Sequence, residues 1–167
     1  MQLSTQTTSL SSAKAQYLKF NLLTDMTALL PVEQLAAVLK IEAGQITTIP
    51  HLPPWIMGVY NWRGEILWII DIGHLLGGRP LHQKTTLATH YSTLLLEQSS
   101  GATAESSYLG LAVYQVQDIE LLSLDRIQSP TVVSEALVPF LRGYWLGTTG
   151  EMLMLLDAPA IFDHMPT

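Results

Sequence analysis

Apolar and polar residues alternate at the start of the chain. Leu18, Phe20 and Leu22 fall on one side of an extended segment; Tyr17, Lys19 and Asn21 fall on the other. Residues 17–22 therefore read as a half-buried strand. Thr24-Asp25 reads as a turn and 27–31 as a second strand. Residues 33–37 favour a short helix, whereas 38–41 favour a strand. Ala43-Gly44 turns the chain, and 46–49 is extended. Further strands are expected at 59–60, 65–70, 89–97, 108–114, 119–124, 144–146 and 151–156. Residues 98–107 read as a polar, flexible connection and 115–118 as a link between strands. Pro54 opens a helical turn over 55–57 that Gly58 ends. Asn61 to Gly64 makes a tight reversal. Asp71 caps a helix over 72–76 that Gly77-Gly78 stops, Ser129-Pro130 begins a loop, and Asp157 with Pro159 opens a helix over 158–164.

Two strands break the alternation. GEILWIID (64–71) is apolar at every position from Ile66 to Ile70, and GEMLMLLD (150–157) repeats the pattern. A strand apolar on both faces needs cover on both. Gly64, Glu65, Leu67 and Asp71 recur 86 positions later, and the Pro54–Gly58 block recurs 85 positions later as Pro139–Gly143. In both copies, at about 54–76 and 139–164, the order is Pro-turn-Gly, strand, tight turn, apolar strand, Asp-capped helix. The repetition implies two similar β-lobes related by a rough twofold axis. One face of each apolar strand fills a small barrel and the other packs between lobes.

Composition narrows the function. The chain has 167 residues, a formal net charge of −6 and no cysteine. That excludes disulfides, thiolate metal sites and a cysteine nucleophile. The eight basic residues are scattered, so nucleic acid is not an expected partner. No run reaches the ~18 apolar residues of a membrane span, and none resembles a secretion signal, so a cytoplasmic protein without membrane insertion is expected. Residues 1–16, rich in Ser, Thr and Gln, read as a flexible tail before a single domain over 17–167. Only 13% of residues are charged against 48% hydrophobic, which favours protein–protein contact.

Catalytic chemistry is not advertised. His51, His74, His82, His90 and His164 show no metal-ligand spacing. No nucleophile elbow, P-loop or dinucleotide fingerprint is present. Glu65 and Asp71 would stand ~20 Å apart along a strand, too far for an acid–base pair. Asp71 and Asp157 are better read as helix caps. No enzyme activity, cofactor or metal is expected.

Ile49-Pro50-His51-Leu52-Pro53, Gly58-Val59-Tyr60-Asn61-Trp62-Arg63-Gly64, and the apolar run from Ile66 to Asp71 together resemble the CheW domain of bacterial chemotaxis. Val116-Gln117-Asp118-Ile119, the Gly143 block and 152–157 extend the resemblance over about 17–164. It implies an all-β fold with a few short helices: two pseudo-symmetric, SH3-like, five-stranded barrels packed through a hydrophobic seam. It also implies a non-catalytic adaptor between the cytoplasmic tip of a methyl-accepting receptor and the regulatory domain of a CheA-type histidine kinase, recruited to membrane-associated receptor arrays. Carried over residue by residue, receptor contact falls on Val59, Asn61, Arg63 and Gly64, and kinase contact on Ile41, Ala43 and Ile46. Asn61 and Gly64 also answer turn geometry alone.

The chain departs from the family pattern at three places. Trp68 stands where Pro is usual and keeps a donor that Pro removes, so pairing of that edge is expected to differ. Ala37 stands near the place of a Glu that pairs with the motif's Arg, and Tyr114 replaces an expected Asp. A specialised adaptor, in pilus motility or phototaxis, fits these departures. Two alternatives stay open: a regulatory protein of this fold that has lost one interface, and a small β-barrel ligand-binding protein.

Overall fold

The computed structural model describes residues 14–23, 26–83, 89–99, 105–129 and 137–166. Its strands are β1 (Lys14–Leu23), β2 (Met26–Pro31), β3 (Leu35–Glu42), β4 (Ile56–Trp62), β5 (Glu65–Asp71), β6 (His90–Ser99), β7 (Ser106–Val113), β8 (Gln115–Ser123), β9 (Leu141–Leu146) and β10 (Met152–Leu156). Two short helices, α1 (Ile72–Leu75) and α2 (Ala158–His164), follow β5 and β10.

The strands form two five-stranded sheets, each curled into a half-barrel. One has the order β3-β6-β7-β5-β4 and the other β8-β1-β2-β10-β9. Position by position these are the same sheet. β3 matches β8, β4–β5 matches β9–β10, and the β6–β7 hairpin matches β1–β2. The parallel contact of each sheet, β5 with β7 and β10 with β2, falls at the same place. The second lobe therefore takes its last two strands from the beginning of the chain: one unit is contiguous and the other is circularly permuted.

Alternation sorts the core into three compartments. Ile41, Leu67, Ile69, Leu95 and Ala112 fill the interior of the first lobe. Tyr17, Leu29, Trp145, Leu153 and Leu155 fill the second. The opposite faces of the same strands meet between the lobes. There Phe20, Leu30, Ile70, Leu94, Leu111 and Leu156 belong to one shared cluster and are buried to within 1%. Each such side chain contributes about 1.5–3 kcal/mol when fully buried. This seam is why 66–70 and 152–156 are apolar without a break: Leu67, Ile69, Leu153 and Leu155 enter a barrel, while Trp68, Ile70, Met152, Met154 and Leu156 face the seam.

Local differences from the expectations have identifiable causes. Residues 33–37 do not form a helix. Val32–Gln34 is a 3₁₀ turn, and Leu35 already starts β3, because tertiary pairing with β6 outweighs local helix preference. Trp55–Met57 is not a helical turn ended by Gly58. β4 begins at Ile56, and Gly58, at φ +144°, sits at a bulge in the strand. Its neighbour Val59 exchanges both backbone hydrogen bonds with Thr47, at 2.8 and 2.9 Å, so of the stretch 46–49 only Thr47 bridges to a strand. Gln115–Asp118 is not a link but the first part of β8, which pairs along β1 through a bulge. Likewise Gln98-Ser99 and Ser106-Ser107 extend the β6–β7 hairpin. Lys14, Ala15 and Gln16 are strand residues opposite Ser123, Leu122 and Leu121, not tail. Trp68 is no edge residue: β5 lies between β4 and β7, and Trp68 pairs with Val59 while packing half-buried against the seam. The expected turn at Thr24-Asp25, residues 1–13 of the expected tail, 100–104 of the polar connection, and Pro130 lie outside the described residues.

The two aspartates cap their helices as expected. Asp71 Oδ1 accepts from the His74 N–H at 3.1 Å, and Asp157 Oδ1 accepts from Ala160 at 3.3 Å. Asp71 does more: its Oδ2 accepts from the Leu81 N–H at 2.7 Å, pinning the segment after α1 to the first lobe.

Candidate functional site

The β4–β5 hairpin carries the four residues expected to meet a receptor. Arg63 and Gly64 occupy its two central positions with φ of +51° and +84°, the doubly left-handed geometry of a type I′ turn. Asn61 Oδ1 accepts the Gly64 N–H at 3.0 Å and closes the reversal. Asn61 and Gly64 thus have a structural task, although both are exposed. Val59 is half-buried two pairs further down, between Thr47 and Trp68.

Arg63 is exposed at the apex. Its guanidinium carbon stands 5.1 Å from the centre of the Trp62 ring, within cation–π range. The Trp62 ring in turn lies 5.1 Å from that of Tyr108, tilted by 55°. Tyr108 Oη donates to Glu97 Oε1 at 3.3 Å. Desolvation, with the charge and hydrogen bond of Glu97, raises the Tyr108 phenol above its ordinary range. Among the described residues Arg63 makes no ion pair, so its N–H donors remain open to a partner. Ala37 offers it no carboxylate; the indole is its brace.

Beside this stack lies a hollow of about 320 Å³ walled by Trp62, Glu65, Ile66, Ser106 and Tyr108. Its origin is topological. β5 pairs with β7 only from Ile69 to Asp71, and the two strands part before that. Ile66 continues the seam face of Trp68 and Ile70 beyond the other lobe, which leaves it 69% exposed. Sequence reasoning passed over Trp62, Ile66 and Tyr108. The available signal was an unbroken apolar run starting immediately after a turn, where a residue has no second lobe to cover it.

The expected kinase-contact residues sit together at the C-terminal end of β3 and in the turn after it. Ile41 is fully buried in the first lobe and has no surface to offer. Ala43, in the 3₁₀ turn Ala43–Gln45, and Ile46 are half-buried at the surface. Among the described residues no three His, Asp or Glu side chains are grouped to hold a metal ion. No helix among them is long and apolar enough to cross a membrane.

A family model described as CheW-like domain matches residues 16–165. The chain is 32% identical over 117 residues to the chemotaxis protein CheW of Rhizobium meliloti (strain 1021), covering 70% of this chain and 68% of that protein. It is also 32% identical over 119 residues to a probable chemotaxis protein CheW of Rhizobium etli, covering 71% of this chain and 70% of the relative. In three dimensions it is similar to the scaffolding protein TtCheW from Thermoanaerobacter tengcongensis, with a TM-score of 0.70, 22% identity, and coverage of 87% and 90% of the two chains.

Proposed function

The chain belongs to the CheW-like family, and on that premise we propose that it couples a methyl-accepting receptor to a CheA-type histidine kinase without catalysing a reaction. The observation that carries the reading is the β4–β5 apex. An exposed guanidinium, braced on Trp62 and free of ion pairs among the described residues, stands next to exposed Ile66. A receptor tip is a helical hairpin, and a helix flank seats an apolar anchor on Ile66 while a carboxylate or carbonyl meets Arg63. The kinase domain docks at Ala43 and Ile46, in and just after the 3₁₀ turn that follows β3. The site of action is the cytoplasmic face of a receptor array.

The test is a binding titration of the full chain against a receptor-tip fragment and, separately, a kinase regulatory domain. Arg63→Ala is expected to weaken receptor binding about tenfold with unchanged melting and unchanged kinase binding. Full receptor affinity in that variant would return Arg63 to a purely structural role. Ala37, in place of the family's carboxylate, favours a second reading, a regulator that keeps one interface; kinase binding with no receptor binding in the unmodified chain would select it.

A further inference from the structure

Two hairpins of the first lobe each bring one aromatic ring and one carboxylate to the same hollow. Trp62 pairs with Glu65 across β4 and β5, and Tyr108 pairs with Glu97 across β6 and β7. Directly paired residues share a face of the sheet. The two rings meet with their centres 5.1 Å apart. The hollow of about 320 Å³ beside them also takes in Ile66, and among the described residues Glu65 is the one charged side chain that lines it.

These carboxylates keep their charge. Arg63 stands two residues from Glu65, yet no ion pair joins them; its guanidinium rests on the Trp62 ring instead. Glu97 accepts from the neutral Tyr108 hydroxyl at 3.3 Å, which leaves the carboxylate ionised. Among the described residues neither glutamate makes an ion pair. Two carboxylates against one guanidinium leave the surroundings of the hollow negative. The Tyr108 phenol reports the same sign. Desolvation, the charge and hydrogen bond of Glu97, and the charge of Glu65 hold it above its ordinary range; a hydrogen bond with Ser106 works the other way, and no basic side chain among the described residues does.

From this meeting of aromatic rings and open carboxylates we infer that the hollow takes a lysine or arginine side chain of the receptor-tip helix that Arg63 and Ile66 meet. The inference rests on the coupling role proposed above and adds the basic half of the partner's recognition pattern. The aliphatic stem of the incoming side chain packs on Ile66 and the two rings, and its charge reaches Glu65 and Glu97. Arg63 and Glu65 thus ask opposite charges of the partner, which fixes the register of its helix.

The experiment is a calorimetric titration of the full chain with a receptor-tip fragment. Glu65→Gln and Glu97→Gln, both at exposed positions, should each weaken binding about fivefold with melting unchanged. The lysines and arginines of the fragment are then replaced by glutamine one at a time. One such replacement should cost about fivefold against the unmodified chain and almost nothing against Glu65→Gln, because the two side chains act as one contact. Full affinity in both carboxylate variants, with Arg63→Ala still impaired, overturns the inference and leaves the coupling role standing. The same cost for every replacement in both backgrounds also overturns it, since Glu65 would then act on the fold alone. A fragment that does not bind the unmodified chain ends both readings.

Discussion

Gly58 and Gly143 hold the same place in the two lobes, each tucked beneath the bridge that closes its barrel. A Cβ on Gly58 would lie 2.2 Å from the Thr47 carbonyl oxygen, and one on Gly143 would lie 2.5 Å from that of Gln128. Neither contact is available to a real side chain. The closure of each lobe thus needs a glycine opposite a main-chain carbonyl. Gly58→Ala is expected to destabilise the protein by about 3 kcal/mol or more. Gly64→Ala is the comparison: at φ +84° with open space around it, it should cost only about 1 kcal/mol. Denaturant melts of the two variants check the order; equal losses would show that strain at positive φ, not the carbonyl, sets the cost.

Asp71 and Asp157 cap equivalent helices but carry unequal loads. Asp157→Ala should cost about 1 kcal/mol, the ordinary value of a cap. Asp71→Ala also strands the Leu81 N–H in a buried position and should cost about 3 kcal/mol. Chemical denaturation of both variants measures the difference, and similar losses would mean that the Leu81 contact contributes nothing.

The lobes share one seam and one of them is built from both chain ends, so they should not unfold separately. Phe20→Ala empties a fully buried seam position and should cost about 3–5 kcal/mol. Calorimetry should still show a single transition for the whole chain. Two resolved transitions would contradict a shared core.

Alkaline pH should destabilise the protein. Burial opposes the charge on Lys19, yet the hydrogen bond to Glu120 and the charges of Glu151, Glu120 and Asp118 raise it above its ordinary value of 10.5. Burial also pushes the Tyr17 and Tyr91 phenols above 10.0, with Arg142 working the other way on Tyr17 and Asp71 adding to the rise on Tyr91. All three groups hold their protons more tightly when folded. Their contribution is complete below about pH 10 and is lost as pH rises through the folded values. Melting temperature measured from pH 8 to pH 11.5 should be level at first and fall above about pH 10. Lys19→Met should remove part of that fall.

If the Trp62 ring is what braces the guanidinium, Trp62→Leu should weaken binding to a receptor tip in the same direction as Arg63→Ala. The measurement is a titration of both variants and the double variant. Additive losses would place Trp62 and Arg63 in separate contacts; a non-additive double loss is expected for a single unit.

Much of this architecture is written locally. A strand apolar at every position, as at Ile66–Ile70 and Met152–Leu156, must be covered twice, and its repetition announces two lobes and a seam. Asp71, Asp157, Asn61 and Gly64 are legible because caps and type I′ turns have short-range chemical requirements. Other features depend on residues far apart in the chain. Residues 33–37 read as helix until β6 arrives beside them, and Gly58 reads as a helix stop until Thr47 is brought against it. Ile41 looks like a surface contact until the first barrel closes around it.

Sequence alone therefore determined which segments are strands with two buried faces, where the chain reverses, and that one plan is used twice, since these follow from periodicity and local dihedral preference. Tertiary structure alone decided that β1 and β2 complete the lobe begun by β8, β9 and β10, that Arg63 rests on Trp62, and that a hollow opens where β5 and β7 part. Pairing between distant strands is set by the combined fit of whole surfaces, and no single stretch of residues carries that information.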